Sequence, residues 1–446
     1  MSQDIDLPKP APGDMTMLGW CDLAGLVRCR AVPSSQLDDV REDGVGWTAA
    51  GQAILPFGGI AENPWGPMDE VRQLPVGGRA YLPRTATAAT FDLVLTQSRD
   101  ASAVDWSCCP RAFCAGAFAD LERETGWTFV SAYEFEFTRL DDARASGRPV
   151  YTLDAMRASS TLLEASVAAL SQAGLDPRTI EPEFGAGQLE IALGASRGLE
   201  GVDRGVLARE VLREVARREG ATITLSPKPT PEAVGNGQHV HFSFVDAEGR
   251  PALYDAARPA LLSEAAASFA AGIMAHAPAL CAIAAPSPVS YLRLGPGHWS
   301  CGYASFGFQN REAMLRVCPP ASREEARRAA ALNLEYRPPD ALSNPHLVTG
   351  MLVRAGLDGI RHRLPLPPMV AGDPANLTAE ERDRLGISPL PGSLAEALEA
   401  LVADEVACGW LPSDLLAAFL AIKRAELARF ADADPDEVCS VYSSIY

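Results

Sequence analysis

The chain has 446 residues, 47% hydrophobic and 22% charged, with 39 Lys and Arg against 57 Asp and Glu for a formal net charge of −18. That mixture supports a packed core and excludes a disordered or fibrous chain, and the acidic balance repels phosphate backbones and anionic lipid, so neither nucleic acid nor a membrane is an expected partner. Lys9, Lys228 and Lys423 are the only lysines, so an anionic ligand would be gripped by guanidinium forks.

Residues 1–14 read as a polar, proline-bearing tail without the basic-then-apolar order of a secretory signal. Residues 15–105 show short apolar runs broken by Gly and Pro. Of these, 26–32, 79–83 and 91–95 read as strands and 56–67 as a loop, which makes a small β-rich unit. Near Trp106–Arg111 the pattern changes, and 106–446 reads as one large unit. It predicts a helix over 111–125, a strand over 128–138, a helix over 153–173, a strand over 187–193 and a helix over 201–218. Strands over 221–226 and 238–245 follow, then helices over 321–331, 345–357, 393–408 and 412–430. The uncharged run Ala265–Ala285 is alanine-rich and holds His276 and Pro278, so it predicts a buried helix ending at the proline rather than a bilayer span. The ten cysteines are scattered apart from Cys108, Cys109 and Cys114, with no CxxC pair, which predicts a reduced, cytoplasmic protein. The fold class expected is α+β.

Four segments carry chemistry. In Tyr133–Phe137 the alternation of a strand puts the three aromatics on one face and Glu134 and Glu136 on the other, two carboxylates about 7 Å apart. Taken alone, that pattern is better explained by a solvated acidic face; a rigid platform for two metal ions is the sharper reading. Glu183–Glu190 is a glycine turn entering a strand, with Glu190 among apolar neighbours. Gly235–Phe244 points Val240, Phe242 and Phe244 to a core and His239, His241 and Ser243 to the other face. In Asn333–Asp340, Glu335 and Arg337 share a face with Asn333; upstream, Arg293, Arg311 and Arg316 stand among apolar neighbours and need partners. Gly194–Gly198 fits a GxSxG nucleophile elbow, but a hydrolase would leave the glutamates and histidines unexplained. No P-loop is present.

Taken in order, an ExE strand, an E…GQxE segment, a GxGxHxH strand, SYxRL, NR, an arginine and NxExR, with PKP at 227–229, resemble the glutamine synthetase family over nearly the whole chain. The resemblance implies a β-grasp-like N-terminal domain and a catalytic domain with an antiparallel sheet and surrounding helices. It matches Glu136, Glu183 and Glu190 to the ligands of one divalent ion, and Glu134, His239 and Glu335 to those of a second. Such a hard donor set suits Mg²⁺ or Mn²⁺. It also matches Gly235, His239, Arg293 and Arg337 to a glutamate pocket, and His241, Ser243, Arg311 and Arg316 to ATP contacts, with Arg311, Glu335 and Arg337 as the catalytic group. The implied reaction is attack of a carboxylate on the γ-phosphate of ATP, followed by displacement of phosphate by an amine.

This chain departs from the ammonia-using members at the amine pocket. Trp299 stands where the family carries a loop acid, and Thr48 (Asp43 in a shifted alignment) stands where it carries a second, on the neighbouring subunit; Tyr151 matches a lining tyrosine. Without those acids an ammonium ion has little to hold it. The expected activity is therefore a γ-glutamyl amide ligase acting on an organic amine. Ordinary glutamine synthesis and a non-catalytic scaffold are the rivals. A homo-oligomer of two stacked hexamers is implied, with the apolar Tyr442–Tyr446 segment expected to dock on another subunit.

Overall fold

The computed structural model describes residues 10–142, 145–297 and 300–446. Two sheets organise the chain. The small one contains β1 (Met15–Cys21), β2 (Val27–Pro33), β3 (Val45–Thr48), β4 (Glu70–Leu82) and β5 (Phe91–Arg99) in the order β2-β1-β5-β4-β3. β1 and β5 run parallel and the other pairs antiparallel. The first and third of these strands are absent from the sequence reading: β1 follows Pro12-Gly13, β3 is four residues long with glycine before and within it, and neither shows a clean alternation.

Helix α1 (Pro110–Thr125) leads to the large sheet. Proline in its first turn and Gly126 at φ 72° after its last set its ends. The sheet comprises β6 (Thr128–Arg139), β7 (Pro177–Pro182), β8 (Gln188–Leu193), β9 (Ser196–Arg197), β10 (Ile223–Thr224), β11 (Gln238–Val245), β12 (Phe306–Phe308), β13 (Leu315–Cys318) and β14 (Asn333–Tyr336). Its main path is β12-β13-β14-β11-β6-β8-β7, antiparallel except between β12 and β13. Around it lie α2 (Leu153–Ala158), α3 (Ser160–Gln172), α4 (Gly198–Glu219), α5 (Glu264–Ala275), α6 (Ala277–Ala284), α7 (Ser290–Arg293) and α8 (Glu325–Ala331). The chain closes with α9 (Pro345–His362), α10 (Ala379–Leu385), α11 (Leu394–Ala403), α12 (Glu405–Trp410), α13 (Ser413–Arg429) and α14 (Pro435–Ile445).

Several expectations need correction. The helix expected over 153–173 breaks at Ser159, and that over 393–408 breaks at Asp404, whose side chain caps α12. The strand over 221–226 shrinks to two residues. Arg293, whose apolar neighbours suggest a strand, ends a short helix instead. The uncharged run forms two helices, α5 and α6, that meet at 75° at His276, and Pro278 occupies the first turn of the second. Among the described residues no single helix is long and apolar enough to cross a membrane. The C-terminal segment docks on its own chain: Tyr442 and Tyr446 are buried, and the Tyr446 hydroxyl donates to the carbonyl of Ala24 at 2.5 Å.

The two sheets share one continuous apolar core. Buried polar ties fix them: Asn344 Nδ2 donates to the carbonyls of Cys21 and Asp22 at 2.9 and 3.0 Å, and Arg209 Nη1 donates to those of Ala341 and Ser343 at 2.6 and 3.1 Å. Gly25, at φ 78°, lies against this loop so tightly that a Cβ would stand 2.1 Å from the Leu342 carbonyl oxygen.

Candidate active site

The site is built by strand register. Along β6, Tyr133, Phe135 and Phe137 are buried beneath the sheet, leaving Glu134 and Glu136 on the upper face. Below, Phe129 stacks on Phe242 with ring centroids 5.4 Å apart. Pairing then places His239 opposite Glu134, Glu335 opposite His241, Arg316 opposite Glu335, Glu190 opposite Glu136 and Glu181 opposite Glu190. Directly opposite side chains on antiparallel strands come within about 5 Å, so one face of one sheet gathers every one of these groups.

The donor atoms of Glu134, His239 and Glu335 all lie within 4.8 Å of one another. His239 Nδ1 is 3.4 Å from Glu134 and 3.5 Å from Glu335, and His241 Nε2 is 3.1 Å from Glu134. Burial opposes the charge of Glu134, yet His241 and His239 hold its carboxyl well below the ordinary range. Burial likewise opposes the charge of Glu335, but Arg337 and the two imidazoles hold it down to about 2. Arg316 Nη1 donates to Glu335 Oε2 at 2.8 Å, and Arg337 donates to Oε1. Cys318, for which the sequence offered no signal, brings its sulfur to 3.6 Å from Glu335 Oε2.

A second group joins Glu181, Glu183 and Glu190, again within 4.8 Å. Burial, then the charges of Glu134, Glu136 and Glu183, push Glu190 up to about 9. Glu183 Oε2 accepts from the Tyr151 hydroxyl at 2.6 Å and from the Phe184 N–H at 3.0 Å. Glu136 stands between the groups, its Oε2 accepting from the Gly237 N–H at 2.7 Å. Glu181 is absent from the sequence reading, although its i,i+2 spacing with Glu183 repeats that of Glu134 and Glu136 and could have exposed it.

Arginines line the other side. Arg293 is 3% exposed, donating to the carbonyls of Pro338 at 2.8 Å and Arg337 at 3.0 Å, with Nη2 3.4 Å from His239 Nε2. This close packing explains the adjoining glycines: a Cβ at Gly235 would sit 2.6 Å from Arg293 Cγ, and one at Gly237 2.7 Å from Arg293 Nη2. Arg311 is exposed on the turn between β12 and β13, where its charge reaches Glu181. Ser243 continues the histidine row on β11, opposite Val130. Thr48 stands apart, at the exposed end of the edge strand of the small sheet, and Trp299 lies outside the described residues. Ser196 forms no elbow: it pairs with Ser131 in the sheet, two residues before α4.

Known proteins resemble this chain in sequence and in fold. The profile of the glutamine synthetase catalytic domain matches residues 107–440. A gamma-glutamylpolyamine synthetase, GlnA3 of Streptomyces coelicolor, is 31% identical over 96% of this chain and 92% of its own. A glutamine synthetase of Pyrococcus woesei is 30% identical over 87% and 84%. A solved structure described as a novel glutamine synthase homologue superposes with a TM-score of 0.89 at 37% identity, covering 99% of this chain and all of the other. A GmaS–ADP complex shares the fold at a TM-score of 0.79 and 24% identity, over 94% of each chain. The chain belongs to the glutamine synthetase family and is an ATP-dependent ligase of that type.

Proposed function

We propose that the chain joins glutamate to an organic amine, forming a γ-glutamyl amide by way of γ-glutamyl phosphate. The observation that carries this reading is the convergence of two donor groups, Glu134–His239–Glu335 and Glu181–Glu183–Glu190, on one face of one sheet. Five carboxylates and one imidazole suit hard divalent ions such as Mg²⁺ or Mn²⁺, with Glu136 in position to join either group. The elevation of Glu190 to about 9 supports the fit, because so much negative charge gathered around one buried carboxylate calls for a cation. When bound, such ions neutralise the phosphates and the attacking carboxylate.

The chain's own residues do the rest. In this reading Arg293, at the glycine-lined end of β11, receives the substrate carboxylate, and Arg311 and Arg316, with His241 and Ser243, hold the phosphate oxygens. Arg337 is fixed by Glu335 and spans the two. A γ-carboxylate oxygen of glutamate attacks the terminal phosphorus and ADP leaves; the amine nitrogen then attacks the acyl carbon, phosphate leaves, and the nitrogen gives up a proton. The name of the Streptomyces relative, a ligase acting on polyamines, supports an organic amine as acceptor. The active form we propose is a ring of two stacked hexamers in which the Thr48 edge strand completes a neighbour's amine site.

The names of the archaeal relatives favour the second reading, ordinary glutamine synthesis. Phosphate release from ATP, with glutamate and a panel of amines that includes ammonia, decides between them. Organic amines outperforming ammonia support the proposal; ammonia above all others replaces it with glutamine synthesis, and no release with any amine removes the glutamate–amine reading.

A further inference from the structure

The loop carrying Tyr151 and the turn after Glu183 enclose a cavity of about 140 Å³ that no step of the proposed reaction uses. Pro149, Val150, Ala155, Phe184 and Leu189 supply its apolar wall, and Glu183 is common to this cavity and the acidic group. Three further observations bear on what it holds. Phe184 is 61% exposed and Val150 and Tyr151 nearly half exposed, an apolar rim that water covers at a cost. Tyr151 adopts φ 56°, a left-handed conformation that an aromatic residue keeps only where its surroundings enforce it, and its hydroxyl is held on Glu183. The guanidinium of Arg148 in the wall is paired with Asp142 and lies 3.7 Å from Asp154.

Resting on the ligase reading above, we propose that this cavity receives the body of the amine substrate, and that the substrate class is a primary monoamine with a compact, uncharged, ring-sized body, such as an arylmethylamine. An amine nitrogen beside Glu183 sends its substituent into the cavity, because that residue lines both the cavity and the acidic group. The volume fits one six-membered ring, since an apolar void of about 150 Å³ accommodates benzene. The apolar wall selects against a diamine: its second ammonium would be stripped of water there, and Asp142 and Asp154 are already engaged by Arg148.

The test measures kcat/KM for benzylamine, methylamine, putrescine and ammonia with the full-length protein, glutamate and ATP. Benzylamine is expected to lead by about tenfold, and Ala155→Phe, which fills the cavity, to lower the benzylamine-to-methylamine ratio by about tenfold or more. Phe184→Ala, at an exposed position that spares the core, is expected to raise the KM for benzylamine several-fold more than that for methylamine. Saturation-transfer NMR of benzylamine on the wild type should show the ring protons in contact with the protein. Amide formation with putrescine or ammonia in the lead, or with a ratio unmoved in both variants, overturns this inference alone. Absence of amide formation with every amine overturns the ligase reading, and this inference with it.

Discussion

Glu134 and His239 face each other across the β6–β11 ladder, carboxylate and imidazole 3.4 Å apart, and Glu335 closes the third side at 3.5 Å from the same ring nitrogen. Neighbouring strands supply all three, so no loop movement is needed to bring them together. Glu134→Ala should therefore abolish ATP- and amine-dependent phosphate release, by about a hundredfold or more, while the protein stays assembled. Glu190→Ala should do the same. Mn²⁺ titration followed by EPR should show weakened binding in both variants. Activity within a few-fold of wild type would remove the metal assignment.

Ser196 makes the opposite case. Its backbone is fixed in the ladder opposite Ser131, away from the pose of a nucleophile, so Ser196→Ala should keep phosphate release within about twofold of wild type. A well-folded but inactive Ser196→Ala protein would restore the hydrolase reading.

Much of this site is legible in the sequence. Period-two alternation in Tyr133–Phe137 and Gln238–Val245 assigned each side chain to the correct face, because both strands are buried beneath and open above. Glu181 escaped because β7 is an edge strand bounded by prolines with no apolar alternation to mark it. Cys318 escaped because a single cysteine at a strand end carries no pattern; only the β13–β14 pairing brings it to Glu335. The breaks at Ser159 and Asp404 were invisible for a related reason, since capping competes with helix continuation through local hydrogen bonds that composition does not rank.

A buried carboxylate sets a pH-dependent stability. Asp340 is fully buried, and that burial pushes it up from 3.8 to about 6 despite the nearby charges of Arg293 and Lys423. With its folded value above its unfolded one, the native state holds the extra proton between these limits. The destabilisation is absent below about pH 4, grows as pH rises, and is complete above about pH 6, where it amounts to about 3 kcal/mol. Asp340→Asn should be more stable than wild type at pH 8, and that advantage should fall by about half at pH 5. Urea unfolding at both values checks it; an advantage independent of pH would refute the assignment.

Beneath the C-terminal helices, Lys423 donates to Glu426 Oε1 at 2.6 Å, while Ser287 and Tyr442 donate to its other oxygen. Lys423 and Glu426 are wholly buried. Glu426→Ala strands the ammonium in an apolar space and should cost about 3–5 kcal/mol, whereas Lys423→Met combined with Glu426→Leu should recover most of that loss. Thermal midpoints of the single and double variants measure the difference; a double variant that loses as much as Glu426→Ala or more would refute the stranded-charge account.

Assembly gives a further check on the proposed function. Light scattering of the active protein should report a mass well above one chain, with activity falling on dilution below the assembly threshold. A fully active monomer would show that Thr48 completes no neighbour's site.

The aromatic underside of the large sheet has a consequence for how such a sequence can drift. If β11 slid by one residue, His239, His241 and Ser243 would turn into the interior while Val240, Phe242 and Phe244 emerged among the carboxylates. The stacking of Phe129 on Phe242 acts as an alignment key against that slip. An exchange at Phe242 that leaves a cavity would thus cost stability and loosen the register of the acidic face together. The underside of the sheet holds in register a row of polar side chains that it never touches.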